Sequence, residues 1–258
     1  MKLYLKYVAM HLRSQMQYKT SFFLTVAGQF ISSFSALLGV YFLMDRFHQA
    51  GGFSYSEVLL CLAVILMAFS LAECFVRGFD AFSAIIANGE FDRIMVRPRN
   101  EILQVLGARI EFSRMGRLLQ ALCVFAYAVP RSGISWNAAR ACLLPLMVVA
   151  GAFVFAGLFI IYAALCFFTT EGLEFINIFT DGGREFCTYP LSIYGERILK
   201  FFTCIVPLAL VQYYPLLYLT GRSENWQHAL APAAACLFLP LSLLLWRVGL
   251  RHYKSTGS

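Results

Sequence analysis

Residues 141–168 read ACLLPLMVVAGAFVFAGLFIIYAALCFF, an apolar run without a single charged side chain. A helix needs about 20 consecutive apolar residues to cross a lipid bilayer, and this run exceeds that length. The whole chain has the same character, since 60% of its 258 residues are hydrophobic and 14% are charged. Soluble domains carry about 25% charged residues. The sequence therefore predicts an all-α integral membrane protein, and it excludes a disordered chain or a disulfide-stapled miniprotein.

The other apolar stretches bring the expected number of transmembrane helices to six. Residues 21–44, 55–76 and 229–246 are each long enough to span. Residues 117–129 are short, so a span there must include part of the more polar stretch before them. Residues 201–219 are apolar but contain Pro207 and Pro215. Proline-interrupted apolar backbone is typical of a broken or re-entrant helix that is shielded from lipid by protein.

The distribution of Lys and Arg predicts the orientation of these helices. In a six-span arrangement, 14 of the 21 basic residues fall in residues 1–20, in residues 77–117 and after the last span. Basic loops stay on the cytoplasmic side, so both termini are expected in the cytoplasm. The net charge of +7 has the same origin, and we expect no nucleic-acid partner.

Residues 1–20 mix basic and apolar side chains and lack the pattern of a secretory signal. As a helix they would place four residues on one face and three basic residues elsewhere: Leu3, Tyr7, Met10 and Ser14 against Lys2, Lys6 and Arg13. This pattern predicts an amphipathic helix that lies in the membrane interface. A solvated basic leader is the alternative.

The longest loop between the expected spans is residues 78–107, GFDAFSAIIANGEFDRIMVRPRNEILQVLG. Apolar residues from Phe79 to Ile86 recur at helical spacing, and Asn88-Gly89 is a typical helix stop. The residue before Pro98 is restricted to extended backbone, and a new helix is expected from Glu101. Two short helices joined by a turn would form a docking element, whereas an ordinary interfacial loop is the alternative.

Motifs for catalysis, cofactors or metals are absent from the sequence. It contains no GxxxxGK[ST] phosphate loop, no HExxH and no CxxC pair, so we expect no catalytic, cofactor or metal site in this chain. Glu73 is the one acid close to the interior of a span, and Arg77 follows it at the i+4 position. An ion pair is the favoured interpretation of this spacing, although acids inside the membrane are also candidates for function.

Residues 169–200 are unusually acidic for a membrane protein of this composition. Four of the acids could be drawn together as a lipid-modifying active site: Glu171, Glu174, Asp181 and Glu185. Their spacing matches no metal motif. A membrane-embedded enzyme and a scaffold subunit therefore stand as alternatives to a transporter.

Two motifs resemble those of a known family. Residues 88–98, NGEFDRIMVRP, are similar to a GELD…LLRP pattern, with Phe91 and Met95-Val96 in place of leucines. Residues 189–194, YPLSIY, are followed by IVP at 205–207 and YYP at 213–215. In this order and at this spacing they resemble the permease subunit of ABC-2-type ATP-binding-cassette exporters, over nearly the whole chain.

The resemblance implies one ABC-2-type transmembrane domain over residues 1–258, which forms half of a translocation pathway in a bacterial inner membrane. The second permease chain would be a copy or, by preference, a relative. Two ATPase subunits, which hold the ATP and Mg, would dock on the cytoplasmic loop.

It also implies that residues 1–20 form a connecting helix, that residues 169–190 are a span, and that residues 189–221 form a re-entrant hairpin. The implied coupling residues are Phe82, Ile85, Ile86, Asn88, Gly89, Glu90, Asp92, Arg93 and Arg97. The implied structural residues are Tyr189, Pro190, Tyr194, Pro207, Tyr214 and Pro215.

Overall fold

The computed structural model of the protein describes residues 2–169 and 174–253, without the side chains of residues 2 and 174. Throughout this part of the chain the secondary structure is helical, and no strand is present. The predicted all-α class is confirmed for the described residues. Glu171 and the side chain of Glu174 lie outside them, as does Lys254 in the basic tail.

Residues 2–47 form a nearly continuous helical rod. Helix α1 spans Lys2–Gln15, a short 3-10 turn follows, and α2 (Lys19–Ser32) and α3 (Phe34–Phe47) continue it. His48 ends α3 in the left-handed conformation, at φ 59°. Most of the apolar residues on α2 and α3 are exposed within the single chain, among them Phe23, Ile31 and Phe42. An apolar face of this size is suited to lipid or to another chain.

Helix α4 (Tyr55–Val76) forms the centre of the molecule, and almost all of its residues are buried. Ser54 begins it with a capping box in which the Glu57 carboxylate accepts a bond from the Ser54 N–H at 2.7 Å. The α4–α8 loop, residues 77–114, contains α5 (Phe82–Ala87), α6 (Glu90–Met95) and α7 (Glu101–Ala108). It leads into α8 (Met115–Arg131), which packs along α4 together with α9 (Ala138–Thr169).

The remainder of the chain is a series of short helices followed by one long helical stretch in two parts. α10 (Gly183–Phe186), α11 (Glu196–Cys204), α12 (Leu208–Val211) and α13 (Tyr213–Leu219) come first. The axis bends by 87° between α11 and the α12–α13 pair, at the IVP sequence. α14 (Trp226–Ala235) and α15 (Phe238–His252) then return along α9.

Four helical stretches are long and apolar enough to cross a membrane: Leu3–Phe47, Tyr55–Val76, Ala138–Thr169 and Trp226–His252. The bent pair of α11 with α12–α13 makes a fifth if it is a single span. The described residues thus contain four or five candidate spans, which indicates a multi-pass membrane protein but does not confirm the predicted count of six. Of the six expected spans, the third corresponds to the 17-residue α8 and the fifth to the bent pair.

Candidate coupling site in the α4–α8 loop

The turn between α5 and α6 forms an exposed apex. Gly89 adopts φ 66°, a conformation that glycine reaches without the strain other residues incur. Ala87, Asn88 and Glu90 are exposed around it. The helix stop expected at Asn88-Gly89 is therefore where the chain turns, and the charged residues after it form α6, a helix that the pattern did not indicate.

A cluster of aromatic rings holds this apex to the ends of α9 and α15. Phe82 and Phe91 lie with their centroids 5.1 Å apart, and neither is exposed. Phe91 lies 5.3 Å from Phe167 and 5.1 Å from Tyr253, and Phe82 lies 4.9 Å from Trp246. Edge-on and tilted ring pairs at these separations add to the stabilisation from burial. We call these five residues the aromatic cluster.

The expected coupling residues thus divide into two groups. Phe82, Ile85 and Ile86 are buried within the chain, so they anchor the loop and do not face a partner. Asp92 is half-buried and accepts a hydrogen bond from the Tyr253 hydroxyl at 3.0 Å. The remaining residues lie on the accessible surface of the loop: Asn88, Gly89, Glu90, Arg93 and Arg97. The helical periodicity of the sequence indicated that Phe82, Ile85 and Ile86 share one face, but it did not indicate which residues cover that face.

Glu73 lies at the centre of a second connection, between α4 and α8. Its carboxylate, 4% exposed, lies 2.5 Å from Arg77, 2.6 Å from Arg117 and 3.7 Å from Arg114. The predicted i,i+4 pair with Arg77 is confirmed. The two arginines from beyond residue 110 could not be predicted, because their approach depends on how α8 packs against α4.

Further ion pairs extend this arrangement into the loop. Glu111 lies 2.7 Å from Arg109 and 3.0 Å from Arg114, and Asp80 lies 3.2 Å from Arg77. Burial raises the pKa of Glu111, but the three arginines Arg77, Arg114 and Arg109 outweigh it and hold that pKa below its usual value. At Asp80 burial prevails over Arg77 and Arg109, and the pKa is raised.

These ion-paired side chains form what we call the charge network, which consists of seven residues: Glu73, Arg77, Asp80, Arg109, Glu111, Arg114 and Arg117. Gln29 of α2 joins it, since its side-chain oxygen accepts a bond from Arg117 at 3.2 Å. Backbones also approach closely here: a Cβ on Gly116 would lie 2.0 Å from the carbonyl oxygen of Val26. The network therefore fastens α2, α4 and α8 to one another at the end where the loop begins.

Helix α1 lies against the loop through hydrogen bonds to backbone groups. The Tyr4 hydroxyl donates to the Phe75 carbonyl at 3.0 Å, and His11 Nε2 lies 2.9 Å from the Gly107 carbonyl. Gln15 donates to the Ile110 carbonyl at 2.6 Å. The packed face of α1 is therefore Tyr4, Tyr7, His11 and Gln15, whereas two of the residues expected on one face, Met10 and Ser14, are exposed.

A model of the ABC-2 family transporter proteins matches residues 30–257. The chain belongs to the ABC-2 transporter family. Comparisons with curated proteins and with solved structures found no match. Membrane subunits of this family are generally permease components, which are transport proteins and not enzymes.

The second motif of this ABC-2 permease is held together by its own polar and aromatic contacts. The Tyr189 carbonyl accepts a bond from Gln212 at 3.2 Å, and Tyr194 packs on Phe186 with centroids 4.9 Å apart. The Tyr214 ring lies 5.3 Å from His228. Pro190 precedes a 3-10 turn, Pro207 precedes α12, and Pro215 lies in the first turn of α13. These prolines mark the points where helices begin.

Residues 178–194 of the permease run along α4 from one end towards the other. The Arg184 guanidinium lies 4.9 Å from the centroid of the Phe69 ring, and a Cβ on Gly51 would meet Ile193 at 2.9 Å. Arg222, at the end of the bent pair, donates to the Gly52 carbonyl at 2.7 Å. Both the segment and the bent pair therefore reach the loop that precedes α4.

Of the four acids in the alternative enzyme interpretation, only Asp181 and Glu185 have side chains that the structure describes. Asp181 and Glu185 pair with the same cation, Arg184, at 3.6 Å and 2.5 Å. Among the residues that the structure describes, no three His, Cys, Asp or Glu side chains are placed to hold a metal ion.

Proposed function

We propose that this chain is the permease subunit of an ATP-binding-cassette exporter and that it is driven by a separate ATPase through the α4–α8 loop. The observation that carries the proposal is the exposed α5–α6 apex, fixed rigidly to the membrane helices by the aromatic cluster. A docking element needs an accessible tip and a stiff attachment, and this loop has both.

The surface for the ATPase is the apex itself. Ala84, Ala87 and Asn88 are small and exposed, and Glu90 adds one negative charge. Because these side chains are small, the apex could approach closely to a groove on the ATPase. Glu90 would favour a basic surface on that partner. ATP and Mg would bind in the ATPase, and this chain would contribute no catalytic residue.

Transmission would follow the two connections described above. ATP binding would draw two ATPase subunits together, and a shift of the apex would act on α9 and α15 through the aromatic cluster and on α4 and α8 through the charge network. The ATPase favours one permease conformation only to the extent that it binds that conformation better.

In the proposed topology, the apex and both termini lie in the cytoplasm. The basic residues of α1 and of the α4–α8 loop support this orientation. Residues 174–194 would then cross towards the outer surface, and α11 with α12–α13 would be a re-entrant hairpin that returns to it. Counted with α8, this arrangement has six crossings. A second permease chain, preferably a relative in a heterodimer, would complete the pathway in a bacterial inner membrane.

The test is co-purification of the tagged chain from its native membranes in mild detergent, followed by measurement of ATP hydrolysis. We expect a nucleotide-binding subunit to co-purify stoichiometrically, with two copies for each pair of permease chains. Glu90→Lys should abolish the stimulation of its activity, whereas Glu224→Lys, an equal charge change at the far end of the molecule, should not. Asp92 is a less suitable site for charge reversal because it is bonded to Tyr253.

A preparation that yields no ATPase, under conditions that preserve other transporters, would refute the proposal and leave a scaffold or enzymatic role. Normal stimulation with Glu90→Lys would show that the apex is not the coupling surface.

A further inference from the structure

A cavity of about 350 Å³ lies between α1 and the α6–α7 part of the loop. Tyr7, Met10 and His11 line it from α1, and Arg93, Arg97 and Gln104 line it from the loop. Its size is within the range of small-molecule sites, about 300–1,000 Å³. It borders the apex, since Glu90 lines it as well, but Ala87 and Asn88 do not contribute to it.

The cavity carries a net positive charge, because Arg93 and Arg97 line it together with a single acid, Glu90. Arg93 lies in α6 and Arg97 lies two residues beyond the end of that helix, and both line the cavity. Neither forms an ion pair with an acid in the described residues, although every arginine of the charge network does. Two adjacent guanidinium groups with free donors are suited to an anionic group such as a phosphate.

The cavity also contains a buried acceptor that lacks a donor. Gln104 is 6% exposed, and its amide nitrogen donates to the carbonyls of Ile94 and Arg99 at 3.1 and 3.2 Å. Its amide oxygen is buried and accepts no hydrogen bond from the described residues. Buried polar groups are nearly always paired, so a ligand of this site should bring a donor as well as a negative charge.

Apolar surface adjoins the charged residues. Met10, which lines the cavity, is 54% exposed. This apolar surface would not stabilise a bound soluble anion, whereas the acyl chains of a lipid could pack against it. Basic pockets near the cytoplasmic ends of membrane helices are suited to anionic lipid headgroups.

We propose that this cavity binds the headgroup of an anionic phospholipid, in which the phosphate pairs with Arg93 and Arg97 and a hydroxyl of a glycerol headgroup donates to Gln104. The lipid would join α1 to α6 at the membrane surface. The proposal rests on the cytoplasmic orientation given above but not on the ATPase.

The experiment is native mass spectrometry of the purified full chain, titrated with phosphatidylglycerol or with phosphatidylcholine. We expect one phosphatidylglycerol to bind more tightly than phosphatidylcholine. Arg93→Gln combined with Arg97→Gln should weaken that binding by about tenfold or more, because two charge-assisted contacts are lost. Arg99→Gln removes an exposed arginine outside the cavity and should change the affinity by less than about twofold.

Arg93→Lys combined with Arg97→Lys, which keeps both charges, should bind better than the glutamine pair if charge is the cause. Equal binding of the two lipids, or equal binding by the glutamine variant and the parent, would overturn the proposal. In a third arm of the experiment, glycerol phosphate, which lacks acyl chains, is added as a competitor of the lipid. If it displaces the lipid at comparable concentrations, the site belongs to a soluble phosphate compound and the lipid assignment is wrong.

Discussion

Replacement of Glu73 by glutamine tests whether the charge network holds α4 and α8 together. Glutamine keeps the size and one acceptor oxygen of the side chain but removes its negative charge. Arg77 would keep Asp80, at 3.2 Å, as a partner. Arg117, whose side chain is 13% exposed, would keep no ion pair within the described residues, so a largely buried cation would be left with hydrogen bonds to Gln29 and to the new glutamine.

The expected loss of stability depends on Arg117, because it loses its ion pair whereas Arg77 keeps one. Removal of one partner of a buried ion pair costs about 3–5 kcal/mol. We expect the lower end, about 3 kcal/mol, because the glutamine oxygen and Gln29 still accept hydrogen bonds from the arginines. In a chain of this size each kcal/mol shifts the melting temperature by about 2–4 °C, so Glu73→Gln should lower Tm by roughly 6–12 °C.

The assay is thermal unfolding of the detergent-solubilised protein, followed by size-exclusion chromatography after heating. Glu57→Gln is the matched control, since it lies on the same helix but pairs with Arg222, which is 35% exposed. It should cost about 1 kcal/mol or less. Addition of Arg117→Met to Glu73→Gln should restore part of the lost stability by removing the unpaired cation. An unchanged Tm for Glu73→Gln, or a double variant whose losses simply add, would contradict this reasoning.

Three further changes probe the packing around the site. Gly116→Ala should prevent a monodisperse preparation, because its Cβ would overlap the Val26 carbonyl; Gly28→Ala, with open space around its Cβ, should fold normally in the same chromatographic assay. Phe91→Ala empties a fully buried position and should cost about 3–5 kcal/mol, seen as a lower Tm that Phe91→Leu largely restores. Arg222→Gln removes a partly exposed pair and should lower Tm by only about 2–4 °C.

The membrane class and the family could be predicted from the sequence because both depend on features that are local in the chain. Apolar runs indicate the spans, and the motifs at 88–98 and 189–194 carry the resemblance to the family. The Glu73–Arg77 pair could be predicted for the same reason, since i,i+4 neighbours share a helix face. Arg114 and Arg117 could not be assigned to this pair, because they approach Glu73 only when α8 packs along α4.

The sequence also could not predict which face of the loop is buried and which is exposed. Phe82 and Ile86 have the spacing of one helical face, but spacing does not tell whether a partner or the protein's own α9 and α15 covers it. Trp246 and Phe167, which do cover it, are about 160 and 80 residues away in the chain. The short helix α6 was missed because six residues give too little periodicity to recognise.

The two connections of the loop differ in chemistry, and this difference predicts where the permease changes shape. Contacts between aromatic rings in the cluster are numerous and weakly directional, so the apex, α9 and α15 should move as one body. The charge network depends on short, directional bonds from arginines to Glu73 and Glu111, which either form or exchange for other partners. Arg184 already lies beside Phe69 and pairs with Asp181 and Glu185. We therefore expect the pairing of Glu73 with α8, rather than the aromatic cluster, to differ between the two conformations of the transport cycle.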